Sequence, residues 1–177
     1  MYFIALAAPD EINDDALKWK QFMKDRFECT VALRSPAHIT LIPPFWMEDN
    51  LENSLQNAIK EFSVQQTSFE ISLMDFDVFK PGVIYINVLP NETLQKIQTQ
   101  LQVFLTQSKL FPIKEEERKF HPHITIATRD LHKKAFREAW DIFEQKKYKA
   151  SWFANGISIL KHNQKKWDVI FTSLFAS

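Results

Sequence analysis

Two stretches of the sequence share one tripeptide: residues 36–45 read Pro-Ala-His-Ile-Thr-Leu-Ile-Pro-Pro-Phe, and residues 120–129 read Phe-His-Pro-His-Ile-Thr-Ile-Ala-Thr-Arg. Both are short and rich in β-branched residues, which is typical of strands. We predict a strand over His38–Ile42, ended by Pro43-Pro44, and a second strand over about 120–128. The histidines at 38 and 123 are 85 positions apart in a chain of 177 residues. This spacing suggests an internal duplication.

The segments around the two tripeptides alternate between helical and extended patterns. Strands are predicted over 2–7, 69–79, 83–89 and a closing hairpin of about 149–161 and 167–174; helices are predicted over 10–27, over 50–63, from Pro90-Asn91 onward, and after Asp130 as an N-cap. Each half then has a motif strand, a helix and two strands. The turns at 80–82 and 161–166 indicate hairpins. We therefore predict an antiparallel α+β fold.

Composition excludes several kinds of site. The chain has only two glycines, so a glycine-rich phosphate loop is excluded. Its single cysteine, Cys29, excludes an intramolecular disulfide and a cysteine-based zinc site, and we expect a buried, inert thiol. The formal net charge is zero, which argues against a non-specific grip on extended DNA but allows recognition of one phosphate or of an RNA end.

The first residues, Met-Tyr-Phe-Ile-Ala-Leu, are apolar but follow no basic segment, so we interpret them as a strand rather than a signal peptide. No apolar run approaches the roughly 20 residues that a membrane helix needs. We expect residues 1–177 to form one domain, acting as a monomer in the cytoplasm without membrane contact.

The spacing within each tripeptide suggests its chemistry. Residues i and i+2 of a strand point to the same face, so each motif presents an imidazole beside a hydroxyl. One neutral histidine of the pair His38 and His123 can deprotonate an attacking oxygen while the other, protonated, donates to a leaving oxygen. Thr40 and Thr125 can donate to non-bridging phosphate oxygens. The pair therefore predicts a site for a phosphodiester that needs no metal or other cofactor.

Two alternatives stay open. His121 alternates with His123, and this pair together with His38 could bind zinc. The same cleft could also hold a nucleotide or RNA end without turnover, as a binding module. The recurring threonine favours phosphate over metal, and two proton-transfer groups favour an enzyme over a binder.

Further candidates lie near the motifs, each with a structural alternative. Phe45 and Trp46 could stack on a nucleobase or pack in the core. Tyr85 is a substrate contact or a core residue. Arg34 is a phosphate or base contact or an ordinary surface residue. His121 is a substrate contact or an extended residue before Pro122.

The segments Arg34–Phe45 and Phe120–Arg129 resemble the paired signatures of the 2H phosphoesterase superfamily, in its 2′-5′ RNA ligase and 2′,3′-cyclic phosphodiesterase branch. The resemblance also covers the opening strand and residues 69–88. It implies a bilobal fold of two antiparallel sheets related by a pseudo-two-fold, with the site in the cleft between the lobes. It also implies a functional set of His38, Thr40, His123 and Thr125. It implies cleavage of cyclic phosphates on nucleotides or RNA ends, or 2′-5′ joining of such ends.

The signatures depart from the family pattern in two places. Where many relatives continue Thr-Leu-x-Phe-Leu-Gly, this chain reads Thr-Leu-Ile-Pro-Pro-Phe over 40–45. Where relatives have a phosphate-contacting arginine five residues after the second histidine, Thr128 stands here and Arg129 follows. On a regular strand Arg129 would share the face of His123 and could still reach phosphate. These departures weaken the case for ligation more than the case for phosphoesterase chemistry.

Overall fold

Strands and helices occur in the predicted order. The computed structural model describes residues 1–116 and 118–176. Within these ranges the strands are β1 Tyr2–Ala7, β2 His38–Phe45, β3 Phe69–Phe79, β4 Val83–Val88, β5 His123–Ala127, β6 Lys149–Ala154, β7 Gly156–His162 and β8 Trp167–Leu174. The α-helices are α1 Asp10–Phe27, α2 Glu52–Ser63, α3 Glu92–Gln107 and α4 Lys133–Phe143. No described helix is long and apolar enough to cross a membrane.

The strands form two four-stranded sheets with the orders β2-β1-β7-β8 and β5-β4-β3-β6. Every pairing between these strands is antiparallel, so the predicted α+β fold is confirmed. In each sheet the motif strand lies at an edge, beside the strand that one helix joins to it, as β1-α1-β2 and β4-α3-β5. This matched order is the pseudo-two-fold relation between the halves.

The helices cross between the sheets. Helix α1 leaves β1 but packs against β5 of the other sheet, and α3 leaves β4 but packs against β2. One core cluster accordingly includes fully buried residues of both sheets, such as Ile4 and Ile84. Burying one such side chain contributes about 1.5–3 kcal/mol. This packing keeps the two edge strands β2 and β5 in contact.

The prediction that Pro43-Pro44 ends the first motif strand was wrong, since β2 continues through both prolines to Phe45. Among the strands of the described residues, β2 has β1 as its single sheet neighbour, and the β1–β2 register shifts between the pairs Ile4–Ile42 and Tyr2–Phe45. An edge strand with an irregular register tolerates residues that lack a backbone N–H. Both prolines are exposed.

The strand predicted over 149–161 is two strands in different sheets. The chain leaves the second sheet after β6 and enters the first at Gly156, so β6 pairs with β3 whereas β7 pairs with β1 and β8. A Cβ at Gly156 would lie 2.6 Å from the carbonyl oxygen of Ser173. The crossing therefore requires a residue without a side chain at that point.

Candidate active site

The two tripeptides lie on edge strands that contact each other, β2 and β5. In β2, His38 and Thr40 are half-buried whereas Ile39 is fully buried, and residues 123–125 of β5 repeat this pattern. The period of two that defines a strand thus turns each histidine and threonine away from the core.

One cavity joins the two motifs. Its volume is about 400 Å³, and it is lined by His38 and Thr40 of the first motif and Thr125 of the second. Arg34 and Arg129 line the same cavity. The structure thus brings both hydroxyls, one imidazole and two cationic side chains to one space.

The second histidine lines an adjoining cavity of about 380 Å³, together with His121 and Thr40. Thr40 therefore belongs to both cavities and marks where they meet. The charge of His123 also acts on His38, whose pKa it helps to lower. The two histidines thus line two adjoining cavities, which together form the cleft beside the motif strands.

Each of the two histidines is fixed by a hydrogen bond of the same kind, to a carbonyl oxygen two residues earlier. Nδ1 of His38 lies 2.7 Å from the carbonyl oxygen of Pro36, and Nδ1 of His123 lies 2.8 Å from that of His121. A carbonyl oxygen only accepts, so Nδ1 carries a proton in each ring. In the neutral rings Nε2 is then the basic nitrogen.

The environment favours neutral imidazoles at both positions. Burial lowers the pKa of His38 to about 4, and the charges of Lys20 and His123 act in the same direction, while the bond to Pro36 opposes them. Burial also lowers the pKa of His123, assisted by the charge of His121. A charged imidazole in a low-dielectric cleft loses hydration, which explains the common direction.

Aromatic rings surround His123. The rings of Phe79 and Tyr85 each lie 5.0 Å from its imidazole, centroid to centroid. Tyr85 is only 1% exposed, pairs with Thr125 across the sheet, and places its hydroxyl 3.2 Å from Nε2 of His121. Burial raises the pKa of Tyr85 to about 12, so the hydroxyl keeps its proton at neutral pH.

Around His38, sequence reasoning missed the aromatic neighbours. The Phe3 ring lies 4.7 Å from the imidazole and 4.7 Å from Trp167, which in turn lies 4.9 Å from His162. Phe3 and Ala5 lie on the same face of β1, and Ala5 pairs with Thr40 of β2. Knowledge of the β1–β2 register would therefore have predicted that Phe3 lies near His38. Trp167 gives no such local signal because it arrives from the far end of the chain.

Arg129 reaches the cleft by a route different from the predicted one. Strand β5 ends at Ala127, and Arg129 adopts a left-handed conformation with φ 46°. The backbone nitrogen of Asp130 lies 2.5 Å from the carbonyl oxygen of Thr128, which closes a three-residue turn. The expected regular strand is therefore absent at Arg129, yet the residue lines the cavity.

Asp130 is not the N-cap of the following helix, because α4 begins at Lys133 with His132 as its N-cap. Oδ2 of Asp130 instead accepts hydrogen bonds from the backbone nitrogens of Thr30, at 2.6 Å, and Val31, at 3.0 Å. These residues open the 3-10 helix Val31–Arg34.

The two aromatic residues after the first motif, Phe45 and Trp46, differ in exposure. Phe45 is 7% exposed and packs against Tyr2, whereas Trp46 is 74% exposed. Both line a further cavity of about 570 Å³ between the end of β2 and residues 112–116. This cavity shares Pro43 with the cavity of His123, so it extends the cleft. Phe45 is thus a core residue, and the free stacking surface is Trp46.

No group of three or more His, Cys, Asp or Glu side chains within residues 1–116 and 118–176 is arranged to hold a metal ion. Cys29 is buried, and burial raises the pKa of its thiol to about 11. The described residues thus give no donor set for the zinc alternative.

Comparison with known sequences gives one family. The sequence pattern of the 2′-5′ RNA ligase superfamily matches residues 8–166. A protein of Geobacillus sp. (strain WCH70), named as a candidate phosphoesterase, is 31% identical over 132 residues, which cover 73% of this chain and 69% of that protein. A counterpart from Geobacillus kaustophilus (strain HTA426), named in the same way, is 32% identical over the same shares.

Solved structures share the fold. E. coli LigT complexed with 3′-AMP superposes with a TM-score of 0.71 at 16% identity, over 99% of this chain and 98% of LigT. A protein of Thermus thermophilus superposes with a TM-score of 0.70 at 13% identity, over 98% and 97% of the two chains. The bilobal arrangement of two antiparallel sheets is thus common to all three.

Proposed function

Because this chain belongs to the 2′-5′ RNA ligase superfamily, we propose that it is a metal-independent phosphoesterase acting on a 2′,3′-cyclic phosphate of a nucleotide or RNA end. One observation carries the proposal: the two His-x-Thr pairs flank one cleft, and both imidazoles are held through Nδ1 by a carbonyl two residues earlier. Two imidazoles held in the same way suit proton transfer from the attacking oxygen and to the leaving oxygen of one reaction.

In the proposed reaction, one neutral histidine takes a proton from water through Nε2. The water oxygen forms a bond to phosphorus, and the bond from phosphorus to one ribose oxygen breaks. The other histidine, protonated, gives its proton to that ribose oxygen. The anionic phosphodiester raises the pKa of a nearby imidazole, which supplies the protonated form that the free cleft disfavours. Each proton transfer contributes about 10²–10⁴-fold.

In the proposed site, other side chains that line the cavity of His38 bind the phosphate. We assign the non-bridging oxygens to the hydroxyls of Thr40 and Thr125, and the negative charge to Arg34 and Arg129. Donors aimed at oxygens where charge develops stabilise the transition state. A chain with two glycines has few other means of holding phosphate.

The nucleoside is assigned to the rest of the cleft, along His121 and toward Trp46. Tyr85 is a core residue that supports His121 and His123 from behind the cleft surface and does not contact the substrate. The LigT structures with 3′-AMP, ATP and NADP+ support a nucleotide as the ligand class, although they concern a distant relative. An exposed Trp46 beside the cleft favours a substrate longer than one nucleotide.

The test is hydrolysis of 2′,3′-cyclic nucleotides and of short RNA ending in a cyclic phosphate, in EDTA. We expect turnover by the unaltered protein and losses of at least about 10²-fold in His38→Ala and His123→Ala. His132→Ala, at an exposed position before α4, is the matched control and should keep full turnover.

Three results would contradict the proposal. Full turnover in both single variants removes the two-histidine mechanism. Loss of turnover in EDTA replaces it with metal chemistry. Binding of a nucleotide without any product, in the unaltered protein, identifies the chain as a binding module.

A further inference from the structure

Lys20 is a buried cation that the proposed mechanism does not use. It lies on α1, is 3% exposed, and donates from Nζ to the carbonyl oxygen of Ser35 at 2.9 Å. No carboxylate of the described residues forms an ion pair with it. Burying an ammonium without an opposite charge is unfavourable, so this arrangement costs stability. Burial lowers the pKa of Lys20 to about 8, and the group is still mainly charged at neutral pH.

The residue that Lys20 holds belongs to a short segment before His38. Ala37 is fixed on both sides, since its nitrogen donates to Oδ1 of Asn13 at 2.8 Å and its oxygen accepts from the nitrogen of Ala8 at 3.0 Å. With Ser35 held by Lys20, both neighbours of Pro36 are anchored. The carbonyl of Pro36 is then presented to Nδ1 of His38 at 2.7 Å.

The second motif has a different support. The carbonyl that fixes His123 belongs to His121, whose own ring lies against the Tyr85 hydroxyl. The causes that lower the pKa of His123 are burial and the charge of His121, whereas the charge of Lys20 acts on His38. The two matched histidines therefore differ in having a buried cation on one side only.

We propose that Lys20 is a positioning residue for His38: its ammonium, bonded to the carbonyl oxygen of Ser35, anchors the 35–37 segment that fixes the imidazole. The inference rests on the proposed function, because it assumes that Nε2 of His38 serves as a proton acceptor. The positive charge of Lys20 also acts on the His38 ring and opposes a second proton there.

Other charged side chains lie near Lys20 and His38, and the test must separate their effect on the His38 ring from that of Lys20. The cavity beside Lys20 is also lined by Arg34, Lys166 and Asp168. The cavity of His38 is also lined by Arg34, Arg129 and His162, with His123 acting from the second sheet. Substitution of Lys20 alone leaves all of these in place.

The first experiment needs no substrate. The His38 ring is titrated by NMR in the unaltered protein, in Lys20→Met and in the matched control Lys24→Met, which removes an exposed lysine one turn later on α1. We expect Lys20→Met to raise the His38 pKa by roughly half a unit or more, from Coulomb's law at a protein dielectric of about 20. Lys24→Met should leave it unchanged. An unshifted His38 in Lys20→Met overturns the inference even if the protein proves inactive toward cyclic phosphates.

The second experiment separates positioning from folding. Lys20→Met should keep or raise the thermal midpoint, because a buried charge is removed, while kcat at pH 8 falls about tenfold as His38 loosens. Lys20→Gln, which retains an N–H donor for Ser35, should recover part of kcat but not the His38 pKa. A variant that loses stability and kcat together, with no recovery in Lys20→Gln, would assign Lys20 a structural role and overturn the inference. Inactive unaltered protein with a shifted His38 would overturn only the proposed reaction.

Discussion

Oδ2 of Asp130 lies 2.6 Å from the backbone nitrogen of Thr30, which is 100 positions earlier in the chain. The same oxygen accepts from Val31, the first residue of the 3-10 helix that ends at Arg34. Asp130 also directly follows Arg129 in its left-handed turn. One carboxylate thus ties together the two segments that bring the arginines to the cleft.

The first prediction follows from this tie. Asp130→Ala frees both segments, so we expect KM for a cyclic nucleotide to rise about tenfold, while kcat, which depends on the histidines, changes less. Loss of hydrogen bonds to a charged group should also lower the free energy of unfolding by about 1.5–3 kcal/mol. Steady-state kinetics and urea unfolding measure the two effects. Asp141→Ala, at an exposed position of α4, is the control. An unchanged KM in Asp130→Ala would show that the arginines do not depend on this tie.

Features that depend on neighbouring residues could be predicted from the sequence. The alternation of His38, Ile39 and Thr40 predicted which side chains leave the core, and the α1 boundaries follow from its own apolar spacing. Features that depend on the partner strand could not. Pro43 is tolerated because β2 is an edge strand, which is a property of the sheet rather than of the segment.

The contacts of Lys20 and Asp130 also could not be predicted from the residues next to them in the sequence. Asp130 has the side chain and position of an N-cap, but its hydrogen bonds go to residues brought near by the crossing of α1 to the second sheet. Lys20 lies on an amphipathic helix where a lysine normally faces solvent. In each case tertiary packing outweighs the local preference, and it does so next to the cleft.

The second prediction concerns the threonines. Thr40→Val and Thr125→Val keep the shape of the side chain and remove the donor, so we expect kcat to fall about 10²-fold for each, as for removal of one oxyanion donor. Thr99→Val, at an exposed position of α3, controls for the substitution itself. Turnover assays on a cyclic nucleotide decide the outcome. A change confined to KM would mean that the hydroxyls bind the ground state and the transition state equally.

Tyr85 gives the third prediction. Tyr85→Phe retains the ring against His123 but removes the hydroxyl that lies 3.2 Å from His121. We expect the free energy of unfolding to fall by about 1 kcal/mol, typical of one hydrogen bond, and kcat to fall a few-fold as the His121 carbonyl becomes less fixed. Urea unfolding and steady-state kinetics measure these changes. Tyr85→Leu should be far more damaging, because it removes the ring against His123 as well as the hydroxyl. A Tyr85→Phe variant with the stability and kcat of the unaltered protein would exclude a role for the hydroxyl.

The fourth prediction separates substrate lengths. Trp46→Ala should weaken binding of an RNA ending in a cyclic phosphate by an amount corresponding to about 1–3 kcal/mol per stacked base. It should leave a cyclic mononucleotide unaffected, because Trp46 lines the outer cavity and not the one that contains His123. The ratio of kcat/KM for the two substrates is the measurement, with Phe153→Ala as an exposed aromatic control. An unchanged ratio would remove Trp46 from the substrate site.

The fifth prediction is a pH dependence of stability that originates at His38. Its pKa is lowered to about 4 in the folded protein, against about 6.5 in an unfolded chain. Between these values the unfolded chain binds more protons, so the free energy of unfolding falls as the pH decreases from about 6.5 to about 4. From about pH 7 to about pH 5 the loss through this group amounts to roughly 2 kcal/mol. His38→Asn removes the titrating group and should reduce the loss by that amount, as measured by urea unfolding at the two pH values. His123 acts in the same direction because its pKa is also lowered, so a double variant should show a still smaller dependence. If His38→Asn retains the full acid loss, the imidazole of His38 is not the group held neutral by burial in this cleft.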